Sequence, residues 1–503
     1  MNLTRALRFT SSLLDSLGQG TSSKFAQDIL FKDSSPTSGV EGGWVGVISL
    51  VGAGGKTTTL FQLARQLIES PSKRTAVIVT STTHFGVWQI PLADHHIIVT
   101  DPDALKNIPP SGITLITGEI ERDRTKPIDQ ATLYRLRADA RSRRIPLLIE
   151  ADGSRQKSLK APAVHEPPIP EFTDMVIVVA GLSALGMPLN DEQVHRAEIF
   201  SQLSDLQIDQ LITADSILRM LTHPKGGLKN IPPNARRVAL LNQADTPQLQ
   251  SIGGRMAHEL LNHFDSVIVG KLKDTEFQTF ERTAGIILAA GESTRFGSPK
   301  QLLDWKGKPF VRQVAETALQ AGLWPVVVVT GSHAPEIESA LSELPVNIIH
   351  NQDYQQGQST SIRAGIQALL SPLPYLENSS KSTQTDFQNI RAPLNKLRGG
   401  WVGAAMFLLA DQPQIPVEVI RALIESHTRE MQTILVPFVL KERRANPVLF
   451  DRVTFPDLLK LTGDVGGRAI FDKHRVEYLP WHDDILLFDV DKPDDYRQLK
   501  EME

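Results

Sequence analysis

The sequence predicts an α/β chain of two doubly wound domains, and three observations carry that expectation. Two apolar runs, Val45 to Val51 and Ile286 to Ala290, each lead into a glycine-rich turn followed by helical spacing. Strand-like and helix-like segments alternate through the second half, as in a mostly parallel sheet with crossover helices. At 503 residues, the chain exceeds what one ordinary core supports.

Composition excludes several function classes. There is no cysteine, so disulfides, thiolate metal sites and cysteine nucleophiles are ruled out, and a catalytic metal must take oxygen or His ligands. The net charge of -4 speaks against a general nucleic-acid binder. No apolar stretch approaches the roughly 20 residues of a membrane-spanning helix, so the expected location is the cytoplasm. Leu3, Leu7, Leu13, Leu14 and Leu17 fit a leading amphipathic helix better than a transit peptide, although Arg5 and Arg8 precede any acid. Lys32 to Gly43, rich in Ser, Gly and Pro, reads as a flexible connection, so residues 1–43 stand apart from the first domain at 44–271.

In that domain the first strand runs into Gly52-Ala53-Gly54-Gly55-Lys56-Thr57-Thr58-Thr59, then Leu60, Leu63, Ala64 and Leu67 at helical spacing. This describes a P-loop: backbone N–H groups cradle phosphate, Lys56 offsets its charge and Thr57 reaches a Mg2+. The motif's usual first glycine falls on Leu50, so the loop is expected to be shorter or differently wound. Ile145 to Ile149 ends in Glu150-Ala151-Asp152, placing carboxylates, Asp152 among them, at a strand's carboxyl edge. Asn242-Gln243-Ala244-Asp245 is similar to a guanine-reading motif with Gln in place of Lys, or is an ordinary strand-ending turn. The expected ligand here is ATP or GTP. With Thr80 to His84, Ser154 to Lys157, His165-Glu166-Pro167 and His195-Arg196, the domain resembles, from Leu13 to Lys271, the accessory protein family of selenium-dependent molybdenum hydroxylases. That resemblance implies a context, maturation of molybdenum enzymes with a molybdenum hydroxylase as client. His165 and His195 are candidate metal or phosphate ligands, though an isolated His more often satisfies a loop.

Residues 272–283 read as a linker, and 284–503 as the second domain. Helices are expected at 310–321, 335–344, 361–370, 417–429 and 455–461. Strands are expected at 325–330, 346–350, 404–410, 434–440 and 485–490, and 371–400 reads as a mobile insertion.

The second domain opens with Leu288-Ala289-Ala290-Gly291, followed by Arg295, Gly297 and Lys300. At this spacing they closely resemble the signature of MobA-like nucleotidyltransferases, and the Ala-Ala-Gly form resembles the branch of molybdenum cofactor cytidylyltransferases. The resemblance implies a Rossmann-like, nucleotide-diphospho-sugar-transferase-like domain using CTP, Mg2+ or Mn2+, and molybdopterin as acceptor. Arg295 and Lys300 would grip the β- and γ-phosphates beside Leu288, Ala289, Ala290 and Gly291. Asp411, ending an expected central strand, is the first candidate metal ligand. Asp489 and Asp491 alternate along the expected last strand, so one of them reaches the metal, and the resemblance favours Asp491. Gly357, Ser359 and Ser361 are assigned to the nucleotide, with an N-cap role for Ser359 or Thr360 equally compatible. Asn446 to Phe450 and Gly463 to Arg468 match the family's acceptor-side segments. Two other functions share these residues: a cytidylyl- or uridylyltransferase for a sugar or polyol phosphate, and a non-catalytic cofactor-delivery factor.

Overall fold

The computed structural model describes residues 3–8, 46–69, 75–272, 276–292, 296, 298–370, 401–439 and 443–502. The chain divides into two compact units, with the division between Phe280 and Glu281. No helix among the described residues is long and apolar enough to cross a membrane.

The first unit carries β1 (Val47–Gly52), α1 (Lys56–Glu69), β2 (Ala76–Ser81), β3 (His95–Ile98), β4 (Gly112–Thr117), α2 (Gln130–Arg143), β5 (Leu147–Glu150), β6 (Met175–Gly181), α3 (Ala197–Ser204), α4 (Ala214–Thr222), β7 (Arg236–Asn242), α5 (Pro247–Leu260) and β8 (Ser266–Lys271). Its strands pair in parallel in the order β8-β7-β6-β1-β5-β2-β4-β3. Side chains along a strand alternate between faces, so Ile48 and Leu50 pack with Leu60, Leu63, Ala64 and Leu67 of α1. Val47 and Val51 instead join Leu136 of α2, Phe200 of α3 and Ile217 of α4. Helices therefore cover both faces, and the loops leaving the carboxyl ends of the strands gather on one edge.

The second unit takes β9 (Glu276–Ala289) from Glu281 onward, then α6 (Phe310–Gln320), β10 (Val326–Thr330), α7 (Ala334–Ala340), β11 (Asn347–His350), α8 (Gln358–Leu370), β12 (Val402–Leu409), α9 (Val417–Glu430), β13 (Ile434–Val439), β14 (Val448–Asp451), α10 (Phe455–Leu458), β15 (Val476–Trp481) and α11 (Pro493–Glu501). The sheet order is β11-β10-β9-β12-β14-β13-β15, parallel except that β14 runs against both neighbours. Ile287 and Ala289 face Val311 and Val314 of α6 and Val419 and Leu423 of α9. Ile286 faces Ile362 and Ile366 of α8 on the other side. The unit is again helix, sheet, helix, with β9 between parallel neighbours.

Several expectations need correction. Residues 276–283 are part of β9 rather than a linker, because Phe277, Phe280 and Ala284 are buried and strand geometry satisfies their backbone. No strand spans 485–490: Asp484–Leu487 is a 3-10 turn capped by the Asp483 side chain, which accepts from Ile485 N, and the last strand is β15. Helix α8 starts at Gln358, so Ser359 to Ser361 are helical, while α10 stops at Leu458. The leading helix is described only as Leu3–Ala6, with Leu3, Ala6 and Leu7 buried. Leu13, Leu14, Leu17, the connection at 32–43 and the insertion at 371–400 lie outside the described residues.

Candidate active site and the two glycine loops

In the second unit, four charged side chains share one locality at the carboxyl edge of the sheet. Ala410 N donates to Leu288 O at 3.2 Å, so Asp411 emerges beside the end of β9. Lys300 begins a short 3-10 turn after the glycine loop, and its Nζ lies 2.8 Å from Asp491 Oδ1. Burial pushes the Asp411 carboxyl up, Lys300 pulls it down, and Asp489 and Asp491 push it up again. Three carboxylates and one ammonium at one edge favour a further cation. Among the described residues, no group of three or more His, Asp or Glu is arranged to hold a metal by itself. Mg2+ commonly takes only one or two carboxylates and completes its shell with water and substrate phosphate, so the donor set fits an ion that arrives with a nucleotide.

Gly291 O accepts from Gln301 Nε2 at 2.9 Å, which fixes the start of the loop after β9. Arg295 and Gly297 lie outside the described residues. Gln412 and Gln414, to which the sequence assigned no role, tie the segment carrying Asp489 to the end of β12: Gln412 Nε2 donates to Asp489 Oδ1, and Gln414 Nε2 to Phe488 O at 2.6 Å.

The segment Gly357 to Ser361 is more enclosed than an open ligand loop. Gly357 has φ 111° and no room for a side chain, since a Cβ there would fall 2.5 Å from Asp464 Cα. Gln358 N donates to Asp464 Oδ1 at 3.1 Å, so the 463–467 turn supplies the acceptor at the start of α8. Asn351 Nδ2 donates to Thr360 Oγ1 at 2.8 Å and to Ser361 Oγ at 3.0 Å. Ser359 is fully buried, and its Oγ has no hydrogen-bond partner. Neither Ser359 nor Thr360 caps α8 with its side chain in the manner expected.

In the first unit the glycine loop is wound tightly rather than left open. Ala53 N donates to Val179 O at 2.9 Å and Gly54 N to Lys157 O at 3.0 Å, so those N–H groups do not face an anion as expected. Gly54, with φ 88°, lies so close to Gly181 that a Cβ would fall 2.4 Å from its nitrogen. Lys56 Nζ donates to Gly52 O at 2.6 Å and lies 3.2 Å from Asp152 Oδ1. Asp152 also receives Gly52 N at 3.1 Å and Lys160 Nζ at 2.9 Å, so two buried ammonium groups face it. Thr57 Oγ1 donates to Glu150 Oε2 at 2.7 Å, and burial pushes the Glu150 carboxyl up. Thr58 is exposed beside Gly55, so the first turn of α1 is the part of the motif left accessible. Asn242 Nδ2 donates to Gly54 O at 2.6 Å, and Asn242 Oδ1 accepts from Leu272 N at 3.2 Å; its amide braces the loop.

The ion chain continues from Lys160 to Glu166 at 2.8 Å, and Arg196 grips Glu166 through both nitrogens at 2.8 and 2.9 Å. Glu166 is buried, but hydrogen bonds from Arg196 and Lys160 outweigh that burial and hold it at about 2. His195 is pressed down to about 4 by burial and by Arg196, Lys160 and Arg155. Both groups bind protons more weakly folded than unfolded. His195 contributes stability in full above its unfolded value of 6.5 and loses it as pH falls towards about 4. Glu166 contributes in full above 4.5 and loses it as pH falls towards about 2. The denaturation midpoint of the first unit is therefore expected to drop in two stages on acidification, and His195→Gln shrinks the upper stage, to which His96 and His263, also pushed down by burial, contribute. A midpoint unchanged between neutral pH and pH 4 would refute this. The sequence showed Lys160 and Glu166 only as parts of short motifs; a lysine between Leu159 and Ala161 was the one sign of a buried ammonium.

Comparison with known proteins agrees with this division. Residues 285–478 match the family model of the MobA-like NTP transferase domain, which makes the second unit a nucleotidyltransferase. Residues 48–198 match the family model of the YqeC protein. The uncharacterized protein YqeC of Escherichia coli (strain K12) is 35% identical over 209 residues, covering 39% of this chain and 75% of that protein. The chain belongs to the YqeC family. Nicotine blue oxidoreductase of Paenarthrobacter nicotinovorans is 27% identical over 210 residues, 40% of this chain and 85% of that protein. Molybdenum cofactor cytidylyltransferase of Escherichia coli (strain K12) is 34% identical over 101 residues, 20% of this chain and 52% of that protein.

Proposed function

We propose that the second unit transfers CMP from CTP to the terminal phosphate of molybdopterin, and that the first unit is a nucleotide-binding module for maturation of a molybdenum hydroxylase. The observation that supports this most is the grouping of Lys300, Asp411, Asp489 and Asp491 beside the loop that follows β9. The similarity to a molybdenum cofactor cytidylyltransferase supports the choice of nucleotide and acceptor. The loop after Ala290 and Gly291, with Arg295 and Lys300, would hold the β- and γ-phosphates. The Gly357 to Ser361 segment would border the nucleotide, and the 463–468 turn the acceptor.

A phosphate oxygen of molybdopterin attacks the α-phosphorus of CTP, a new P–O bond forms, and the bond to the β-phosphate oxygen breaks to release pyrophosphate. The attacking phosphate is already anionic near neutral pH, so no strong general base is needed. Asp411, with a carboxylate from the 489–491 segment, would hold the Mg2+, which when bound neutralises charge on the triphosphate. Lys300 steadies the departing pyrophosphate, and Asp491 keeps Lys300 aimed at the site.

The test is pyrophosphate release from CTP, GTP and ATP, each with and without molybdopterin. Release that needs CTP and molybdopterin together supports the reading. Release with GTP instead changes the base, and release with a sugar or polyol phosphate instead of molybdopterin changes the acceptor. Absence of release with every pair favours a delivery role.

A further inference from the structure

Asp489 and Asp491 reach the end of β12 without a strand to carry them. Asp484–Leu487 is a 3-10 turn, and 488–491 lie outside any strand or helix. Their placement therefore depends on side chains, and two come from the loop that begins with Asp411. Gln414 Nε2 donates to Phe488 O at 2.6 Å and so holds the backbone of the segment. Gln412 Nε2 donates to Asp489 Oδ1 and so holds the carboxylate itself.

The condition of Gln412 is informative. It is 3% exposed, and its Oε1 is buried with no hydrogen-bond partner. An unsatisfied buried acceptor is destabilising, so an apolar side chain of the same size would pack better. What only the amide supplies is the bond to Asp489. A carboxylate only accepts, so the NH2 end must face it and Oε1 must point away. The donor is neutral, which leaves the charge on Asp489 intact. Asp491 differs: its Oδ1 lies 2.8 Å from the Lys300 ammonium, which offsets its charge.

We infer that Gln412 is a positioning residue whose amide orients Asp489, so that Asp489 rather than Asp491 joins Asp411 in holding the divalent cation, while Asp491 holds Lys300. This rests on the metal-assisted transfer proposed above. It reverses the choice between the two acids that the family resemblance favoured, and it gives the amide between Asp411 and Pro413 a defined task.

The probe is Mn2+, titrated into the full chain and followed by the EPR signal of the free ion, with Mg2+-dependent pyrophosphate release measured in parallel. Gln412→Met and Asp489→Asn are each expected to weaken Mn2+ binding by about tenfold or more, as loss of a ligand's supporting contact does. The double variant binds no more weakly than Asp489→Asn alone, because Gln412 acts only through Asp489. Asp491→Asn changes Mn2+ affinity by less than about threefold, since it takes away a partner of Lys300 and not a ligand of the cation.

Wild-type affinity in Gln412→Met, additive losses in the double variant, or a larger loss in Asp491→Asn than in Asp489→Asn would each overturn the inference. Asp489 and Asp491 are exposed, so that last comparison decides even if Gln412→Met does not fold. Asp411→Ala separates the two levels: wild-type Mn2+ binding there defeats the metal reading itself, whereas weakened binding there with an unchanged Gln412→Met defeats only the role of Gln412.

Discussion

Asp411→Ala lowers the turnover number for pyrophosphate release about 100-fold or more, with thermal stability close to that of the wild type. Asp411 leaves β12 beside the end of β9, next to one ammonium and two carboxylates. Burial disfavours its charged form, so the carboxylate is held there at a cost to the fold, and its removal leaves no new buried charge. The loss should appear mainly in kcat, because a cation held at the triphosphate counts most where charge develops on the leaving pyrophosphate. Steady-state kinetics at saturating CTP and molybdopterin measure it, and near-normal turnover would remove Asp411 from the site.

The second large effect concerns stability. Glu166→Ala destabilises the first unit by roughly 3–5 kcal/mol, the usual result of removing one partner from a buried ion pair. Lys160 has a side chain only 1% exposed and would keep the Gly153 carbonyl and one carboxylate, Asp152, which Lys56 already draws upon. Arg196 would lose both of its bonds to Glu166. Denaturant unfolding of Glu166→Ala against Glu166→Gln measures the effect; the amide keeps the shape and loses the charge. A loss below about 1 kcal/mol in Glu166→Ala, the range of surface pairs, would mean that the chain of charges is far less tightly coupled than its distances indicate.

Much of the architecture was legible in residue order. Val47 to Val51 and Ile286 to Ala289 announce buried strands because both faces of a doubly wound sheet are covered, so the run is apolar throughout. Helices α6 and α9 follow from apolar residues three and four apart, and Asp411 stands where a parallel strand must release its chain. These are local signals, and nearby residues suffice to produce them.

The acids at 489 and 491 show the opposite case. Ile485 to Val490 has the composition of a strand, yet its apolar side chains pack beside α6 and α9 or under the C-terminal helix, and the backbone turns instead of pairing. The linker expected at 276–283 failed for a related reason: its charged residues alternate with phenylalanines that only a neighbouring layer could bury.

By itself, the order of residues determined the fold class, the two glycine loops that follow strands and the candidate acid Asp411, since periodicity and glycine spacing act over a few residues. Only the tertiary structure decided that Lys56 and Lys160 close on Asp152, that Asn242 braces the loop, and that Gln412 reaches Asp489. Those contacts join residues from 77 to 188 positions apart, Lys56 and Asp152 among them, except Lys160, which lies 8 from Asp152. Whether a charge at such a position meets solvent, a metal or another side chain depends on what the rest of the chain packs around it.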